Sequence, residues 1–224
     1  MDISVKYSLI TRLPLMQGIS GQELAAMEDY VSLDIQTGKE KTTLANQGDN
    51  CDSLILLVGG TLMLSSFNRH LGMIAYGKAE APYAIEPWNI YGLLCKYRHT
   101  YACGKDCTYI KLSKKDVSAL MARCEVFRIN FFNTVCASFQ KHARRMGGIP
   151  LTSPESKIRL LLSGWLYEYT GEVALKVGMD YLAMLIGTTR LNASKALHSM
   201  ESKGLIRLGR KAVYINNMES ILEQ

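Results

Sequence analysis

Between Tyr181 and Leu197 the chain reads YLAMLIGTTRLNASKAL, and this segment holds the residues best suited to recognising a polar, charged partner. Leu182, Ala183 and Ile186 supply a small apolar face on a first helix, and Gly187 permits the positive φ of a tight turn. Ala193, Ala196, Leu197 and Met200 give a second helix one buried side. Thr188 and Thr189 precede that helix, and Thr189 is placed to cap it. Arg190, Asn192 and Lys195 then fall on its exposed N-terminal half. An arginine fork matches guanine O6 and N7, and an asparagine amide pairs adenine bidentately. After Gly204 a basic hairpin offers Arg207, Arg210 and Lys211 to phosphate oxygens. Thr188, Thr189, Arg190, Asn192, Lys195, Arg210 and Lys211 are therefore the residues expected to contact double-stranded DNA. The bland alternative is any small helical domain with a glycine turn. The complete order of helix, turn, helix, strand and basic hairpin favours a winged helix-turn-helix.

The elements that must carry this segment follow from texture along the chain. The 224 residues are 48% hydrophobic and 21% charged, which is ordinary globular composition and excludes disorder or a collagen-like chain. No apolar run reaches the roughly 18 residues of a membrane span. The opening MDISVKYSLITRL has no apolar h-region, so neither a membrane nor a secretory signal is expected, and the expected location is the cytoplasm. Net charge is +6 and uneven. Residues 1–112 carry ten basic against eleven acidic groups, 113–150 seven against two, and 151–224 nine against seven. A basic middle and end fit a polyanion, though a solvated helix face would look similar.

A helix is expected over 22–31, capped by Ser20 with Glu23 closing a capping box. From residue 33 to 112, short apolar runs alternate with glycines. The runs 54–58, 61–65, 73–76 and 109–112 read as antiparallel strands, with Gly59-Gly60 as a hairpin turn. Ser113 starts a helical stretch that runs without proline to Met146. Phe132, Val135, Phe139, Ala143 and Met146 recur along it at three and four, a seam suited to a second copy of the chain. Gly147-Gly148, Pro150 and Leu151-Thr152 mark a hinge. Ser153-Pro154 then opens a helix with a buried face at Ile158, Leu161, Leu162, Trp165, Leu166 and Tyr169. Short helices over 180–185 and 189–203 and strands over 205–208 and 212–215 complete the chain. The expected class is α+β. Residues 1–112 form an antiparallel β-roll, 113–150 a dimerisation helix and hinge, and 151–224 a winged helix-turn-helix.

Six cysteines are too few for a disulfide scaffold, and free thiols fit them better. Cys103 and Cys107 in one strand would be too far apart to bridge. Cys51 is the first cysteine, so no N-terminal iron–sulfur cluster is expected, and no zinc spacing is present. No Ser-His-Asp or Cys-His arrangement, Walker loop or carboxylate pair argues for an enzyme.

The chain resembles the cyclic-AMP receptor protein / fumarate-nitrate regulator (Crp/Fnr) family of bacterial transcription factors. The resemblance is carried by Asn46-Gln47-Gly48-Asp49 and the strand pair from Ser53 to Gly60. It is carried again by Leu182-Ala183 to Leu197 and by Glu201-Ser202-Lys203-Gly204-Leu205-Ile206. It covers nearly the whole length. It implies a cyclic-nucleotide-binding-like roll, a homodimer on a near-palindromic site with half-sites about 34 Å apart, and RNA polymerase as a partner. It matches the family's first base-reading arginine to Arg190 and its later basic reader to Lys195. Leu191 stands where the family has an acidic reader, and a leucine touches a thymine methyl instead. In the roll, the family's nucleotide cassette falls on Glu86, Tyr97, Arg98 and Thr100, with His142 on the central helix. These are the candidate effector residues. The glycine before the glutamate is absent, Pro87 has no N–H for a phosphate, and Tyr97 stands where the arginine belongs. The expected effector is therefore a small molecule other than cyclic AMP. The alternatives are a roll that is only structural, or one that senses redox state through thiols or haem.

Overall fold

The computed structural model describes residues 3–147, 151–166, 169, 171–210, 212–218 and 220–221, the side chains of 145–147 excepted. The chain divides into two compact units. One comprises residues 1–63 with 79–138, the other residues 64–78 with 139–224. Among the described residues no helix is long and apolar enough to cross a membrane.

The first unit opens with α1 (Ile3–Ile10) and α2 (Gly21–Glu28). Ser20 caps α2 through the expected box: its hydroxyl accepts from the Glu23 N–H, and the Glu23 carboxylate accepts from the Ser20 N–H at 2.8 Å. The roll is built from β1 (Ile35–Gly38), β2 (Thr43–Ala45), β3 (Ser53–Gly59), β6 (Tyr83–Ile85), β7 (Thr100–Cys103) and β8 (Cys107–Ser113). The antiparallel order is β1-β8-β3-β6, with β2 paired to β7. Leu54 to Val58 is buried without alternation, because β3 is central in its sheet and covered on both faces. Leu54 faces Leu112 and Leu56 faces Ile110 in register with β8. The turn after β3 needs glycine: Gly60 has φ +90°, and a Cβ there would stand 2.7 Å from the Asp106 carbonyl oxygen.

The stretch from Ser113 is two helices, α3 (Lys114–Arg123) and α4 (Glu125–Gly147). Ser113 and Asp116 form a second capping box. The break is Cys124, which is extended (φ −115°, ψ 108°) and accepts the Phe127 N–H on its sulfur at 3.4 Å. Cys124, Phe127 and Phe131 turn one face of α4 into the core of this unit.

The second unit holds the hairpin strands β4 (Thr61–Asn68) and β5 (Met73–Glu80), whose residues 64–78 group with the C-terminal chain. Around them lie α5 (Pro154–Trp165), β9 (Val173–Lys176), α6 (Met179–Leu185), α7 (Arg190–Ser202), β10 (Ile206–Gly209) and β11 (Ala212–Ile215). The strand order is β10-β11-β9-β5-β4. Strand β9 does not stand out in the sequence. It gains order from neighbours on both sides, with Leu175 opposite Val213 of β11 and Ala75 of β5. Tyr169, fully buried, shares a 2.8 Å hydrogen bond with Ser66, and its ring occupies the space a Cβ at Gly77 would need. The Tyr181 hydroxyl donates to the His70 carbonyl at 2.9 Å. The expected hinge at Gly148 and Pro150 lies outside the described residues.

The reading of six free thiols needs correction. Cys103 and Cys107 form a disulfide, with Cα atoms 5.9 Å apart. Four residues along one extended strand would separate them by about 13 Å. The chain instead turns at residues 104–106, so the two meet across the end of β7 and β8. Cys51, Cys95, Cys124 and Cys136 are free. Burial pushes the Cys51 thiol up to about 11.

Three outcomes test this architecture. Gly60→Ala is expected to lower stability in urea unfolding by about 1–3 kcal/mol, the backbone overlap adding to conformational strain. Gly187→Ala, at φ +61° with open space around its Cβ, carries only the left-handed penalty of about 1–2 kcal/mol. A Cys51 thiol raised to about 11 stays protonated through neutral pH, so iodoacetamide leaves it unmodified in the native protein at pH 7. Mass mapping checks this. Fast alkylation of Cys51 at pH 7 would contradict its burial.

Candidate nucleic-acid interface

The helix-turn-helix is α6 and α7. The turn closes through Gly187 N–H to the Met184 carbonyl at 3.1 Å and Thr188 N–H to the Ala183 carbonyl at 2.9 Å. The Thr189 side chain accepts from the Asn192 N–H at 3.2 Å and caps α7 as expected. Ala193, Ala196, Leu197 and Met200 are buried, so the rest of the circumference faces out. At about 100° per residue, Leu191 and Lys195 lie opposite the buried arc, with Arg190 and Asn192 flanking them. Thr189, Arg190, Asn192 and Lys195 are exposed, and Thr188 is half-buried. Leu191 is 63% exposed. It stands between the exposed Arg190 and Asn192, an apolar residue in an otherwise polar face.

The cations are held with different firmness. Arg190 meets the Asp180 carboxylate at 3.1 and 3.2 Å, with both side chains largely exposed. Such an exposed pair contributes up to about 1 kcal/mol, so it holds the guanidinium only loosely. Arg207 lies 4.0 Å from the Tyr214 ring centroid and 3.5 Å from Glu172. Arg210 is exposed at the end of β10, and Lys211 lies outside the described residues. The far end of α7 is braced. Lys203 meets both Glu155 oxygens at 2.8 and 2.9 Å, and the Glu201 carboxylate accepts the Leu208 N–H at 2.7 Å.

On α4, Phe132 (55% exposed), Phe139 (71%) and Ala143 are exposed and Val135 is half-buried, while the Met146 side chain lies outside the described ones. Ile129 and Cys136, which the sequence reading passes over, are also exposed and complete a three-four spacing with Phe132 and Phe139.

The candidate effector residues are not gathered around a common space. Glu86 is fully buried with φ +39°, and its carboxylate is occupied. Oε2 accepts from Asn89 Nδ2 and the Arg98 N–H, both at 2.7 Å. Oε1 accepts from the Tyr101 hydroxyl at 3.0 Å and the His99 N–H at 3.1 Å, and lies 2.7 Å from His99 Nδ1. The Arg98 side chain is exposed. Thr100 accepts the Gln47 N–H on its hydroxyl at 3.0 Å. Tyr97 is buried, donates to the Ser53 carbonyl at 2.6 Å, and has its hydroxyl pKa raised by that burial. It lines a cavity of about 250 Å³ that also carries Asp49, Asp52 and Lys111. Two carboxylates against one ammonium make a poor seat for a cyclic phosphate. Tyr91 and Tyr101 serve as packing: Tyr91 sits edge-on to Phe131 and shares a 2.7 Å hydrogen bond with Ser118. His142 belongs to the other unit.

Residues 158–223 match the family model of the Crp-like helix-turn-helix domain. No curated protein matches the chain by sequence. Among solved structures, the chain is similar to the catabolite activator protein of Thermus thermophilus. That match has 18% identity over 93% of this chain and 96% of that one, with a TM-score of 0.49. Similarity extends to reduced CprK without ligand, at 14% identity over 89% and 96% with a TM-score of 0.48. It also extends to the c-di-GMP responsive global regulator CLP of Xanthomonas campestris, at 13% identity over 86% and 99% with a TM-score of 0.42. Residues 158–223 are thus a Crp-like helix-turn-helix domain, preceded in the chain by a β-roll and a long helix, the order the Crp/Fnr resemblance implied.

Proposed function

We propose that the chain works in the cytoplasm as a homodimeric regulator of transcription. It reads a near-palindromic DNA site with one α7 per half-site and acts on RNA polymerase there. The exposed N-terminal half of α7, with Arg190, Leu191, Asn192 and Lys195 opposite a buried apolar arc, carries this reading. The seven-against-two basic excess of residues 113–150 supports it by favouring a polyanion. The exposed stripe Ile129, Phe132, Cys136 and Phe139 on α4 supports the dimer, because aromatic side chains at this spacing gain about 25 cal/mol per Å² when a second copy covers them. The division of labour is then roll (1–112), dimer helix and hinge (113–150) and DNA reader (151–224).

The effector is a small molecule other than cyclic AMP. Glu86, the residue type that would hold a ribose hydroxyl, spends its carboxylate on internal donors. The same observation favours a second reading, in which the roll is purely structural and regulation needs no ligand in it.

Fluorescence anisotropy on the protein's own upstream DNA, titrated with salt, tests the reader. Sequence preference over random DNA is expected, and its absence would sink the proposal. Arg190→Ala is expected to weaken specific binding by about 1–3 kcal/mol and to relax the preference at one base pair of each half-site. Phe139→Asp places a charge on the α4 stripe. Sedimentation is expected to fall from twice the chain mass to the 25.0 kDa of one chain, with DNA affinity falling alongside. An intact dimer in that variant would mean the two copies meet elsewhere.

A further inference from the structure

The second unit contains a cavity of about 820 Å³ that none of the DNA contacts uses. That size lies in the roughly 300–1,000 Å³ range of small-molecule sites. Its walls come from five parts of this unit: Phe67 and Ile74 from the β4–β5 hairpin, Lys176 from β9, Val213 from the wing, Leu197 from the inner side of α7, and residues of α6. Every lining side chain is apolar except Lys176 and His198, and among the described lining residues none is acidic. Lys176 stands 4.9 Å from the Tyr76 ring centroid and meets no carboxylate among the described residues. His198 directs Nδ1 at the Ser194 carbonyl at 2.8 Å, so Nδ1 carries the proton and Nε2 is left for another partner. The Lys176 ammonium is the one charged side chain among the described lining residues, and Nε2 of an imidazole protonated at Nδ1 accepts, so the ammonium alone selects the sign of a ligand's head. The chamber suits an apolar body with an anionic head and disfavours a cationic or sugar-rich molecule.

We propose that this cavity is a binding site for an amphipathic carboxylate, a short fatty or aryl acid, with its chain among Phe67, Ile74, Leu197 and Val213 and its carboxylate at Lys176. The site is separate from the candidate effector residues Glu86, Tyr97, Arg98 and Thr100 and from the exposed reading face of α7. It does not rest on the DNA-binding reading. It adds an effector position in which the ligand touches the recognition helix directly through Leu197.

Calorimetric titration of the full chain, without DNA, with octanoate, octan-1-ol and octylammonium tests it. Octanoate is expected to bind at least tenfold more tightly than either of the others. Lys176 is exposed, so Lys176→Glu should leave the fold intact while costing octanoate at least tenfold in affinity and removing its advantage over octylammonium. Ile74→Trp, which fills the chamber, should abolish binding of all three with the thermal unfolding curve retained. The proposal is overturned if the three ligands bind alike, if none binds at millimolar concentration, or if Lys176→Glu leaves octanoate affinity unchanged. Failure of DNA binding in the anisotropy experiment would leave this result standing, and the reverse also holds.

Discussion

The roll depends on one buried charge. A carboxylate with no solvent exposure costs several kcal/mol unless its lone pairs are filled, and Glu86 fills them with donors from a turn and from the approach to β7. Two of those donors are backbone N–H groups, at Arg98 and His99, so the glutamate fixes main chain as well as side chains. It does so from a left-handed backbone conformation, which a non-glycine residue keeps only when its surroundings over-determine it. This explains why a cassette that keeps a glutamate and an arginine as residue types need not keep a nucleotide site. The glutamate has become a strut, and the arginine next to it contributes its amide while its side chain points to solvent.

What could be read from the sequence was whatever is decided within a few residues. The box at Ser20, the helix start at Ser113 and the cap at Thr189 are patterns within one helical turn, and each appears where expected. Strands β3, β4, β5 and β8 announced themselves through glycine punctuation while β1, β2, β6 and β7 did not, and the helix-turn-helix announced itself through its buried and exposed faces. What escaped is set by residues far apart in the chain. Strand β9 is four residues long and becomes a strand by pairing with β11 on one side and β5 on the other. Residues 64–78 look like any roll hairpin, yet they group with the C-terminal unit because Tyr169 needs the bare backbone of Gly77 and the hydroxyl of Ser66. Cys103 and Cys107 looked remote because an extended strand was assumed where the chain turns. Cys124 gives no local sign of breaking a helix, and Glu86 gives no sign of being saturated. In both cases the deciding partners arrive through the fold.

The site divides in the same way. Arg190, Asn192 and Lys195 were legible because helical periodicity alone places them outward. Leu191 was harder to value, since an exposed leucine is unremarkable on most surfaces. Its weight comes from standing at the centre of a polar face. The Arg190–Asp180 pair is invisible to local pattern, ten residues apart across the turn. Its small magnitude decides its meaning: an exposed ion pair orients the guanidinium loosely and leaves it available to another partner.

An effector changes DNA affinity only by the difference between its affinities for the two states of the protein. A ligand confined to a roll must pass that difference to α7 through intervening structure. A ligand in the cavity of the second unit needs no relay, because Leu197 and His198 lie on α7 itself and a wall of the chamber is the wing. Close packing favours discrete arrangements over continuous ones, so a ligand that fits the chamber better in one arrangement of α7 than in another would shift the population toward it. The hairpin strand β5 shares that wall and pairs with β9. If a ligand in the chamber changes DNA affinity by some factor, reciprocity requires DNA to change the affinity of the chamber for that ligand by the same factor.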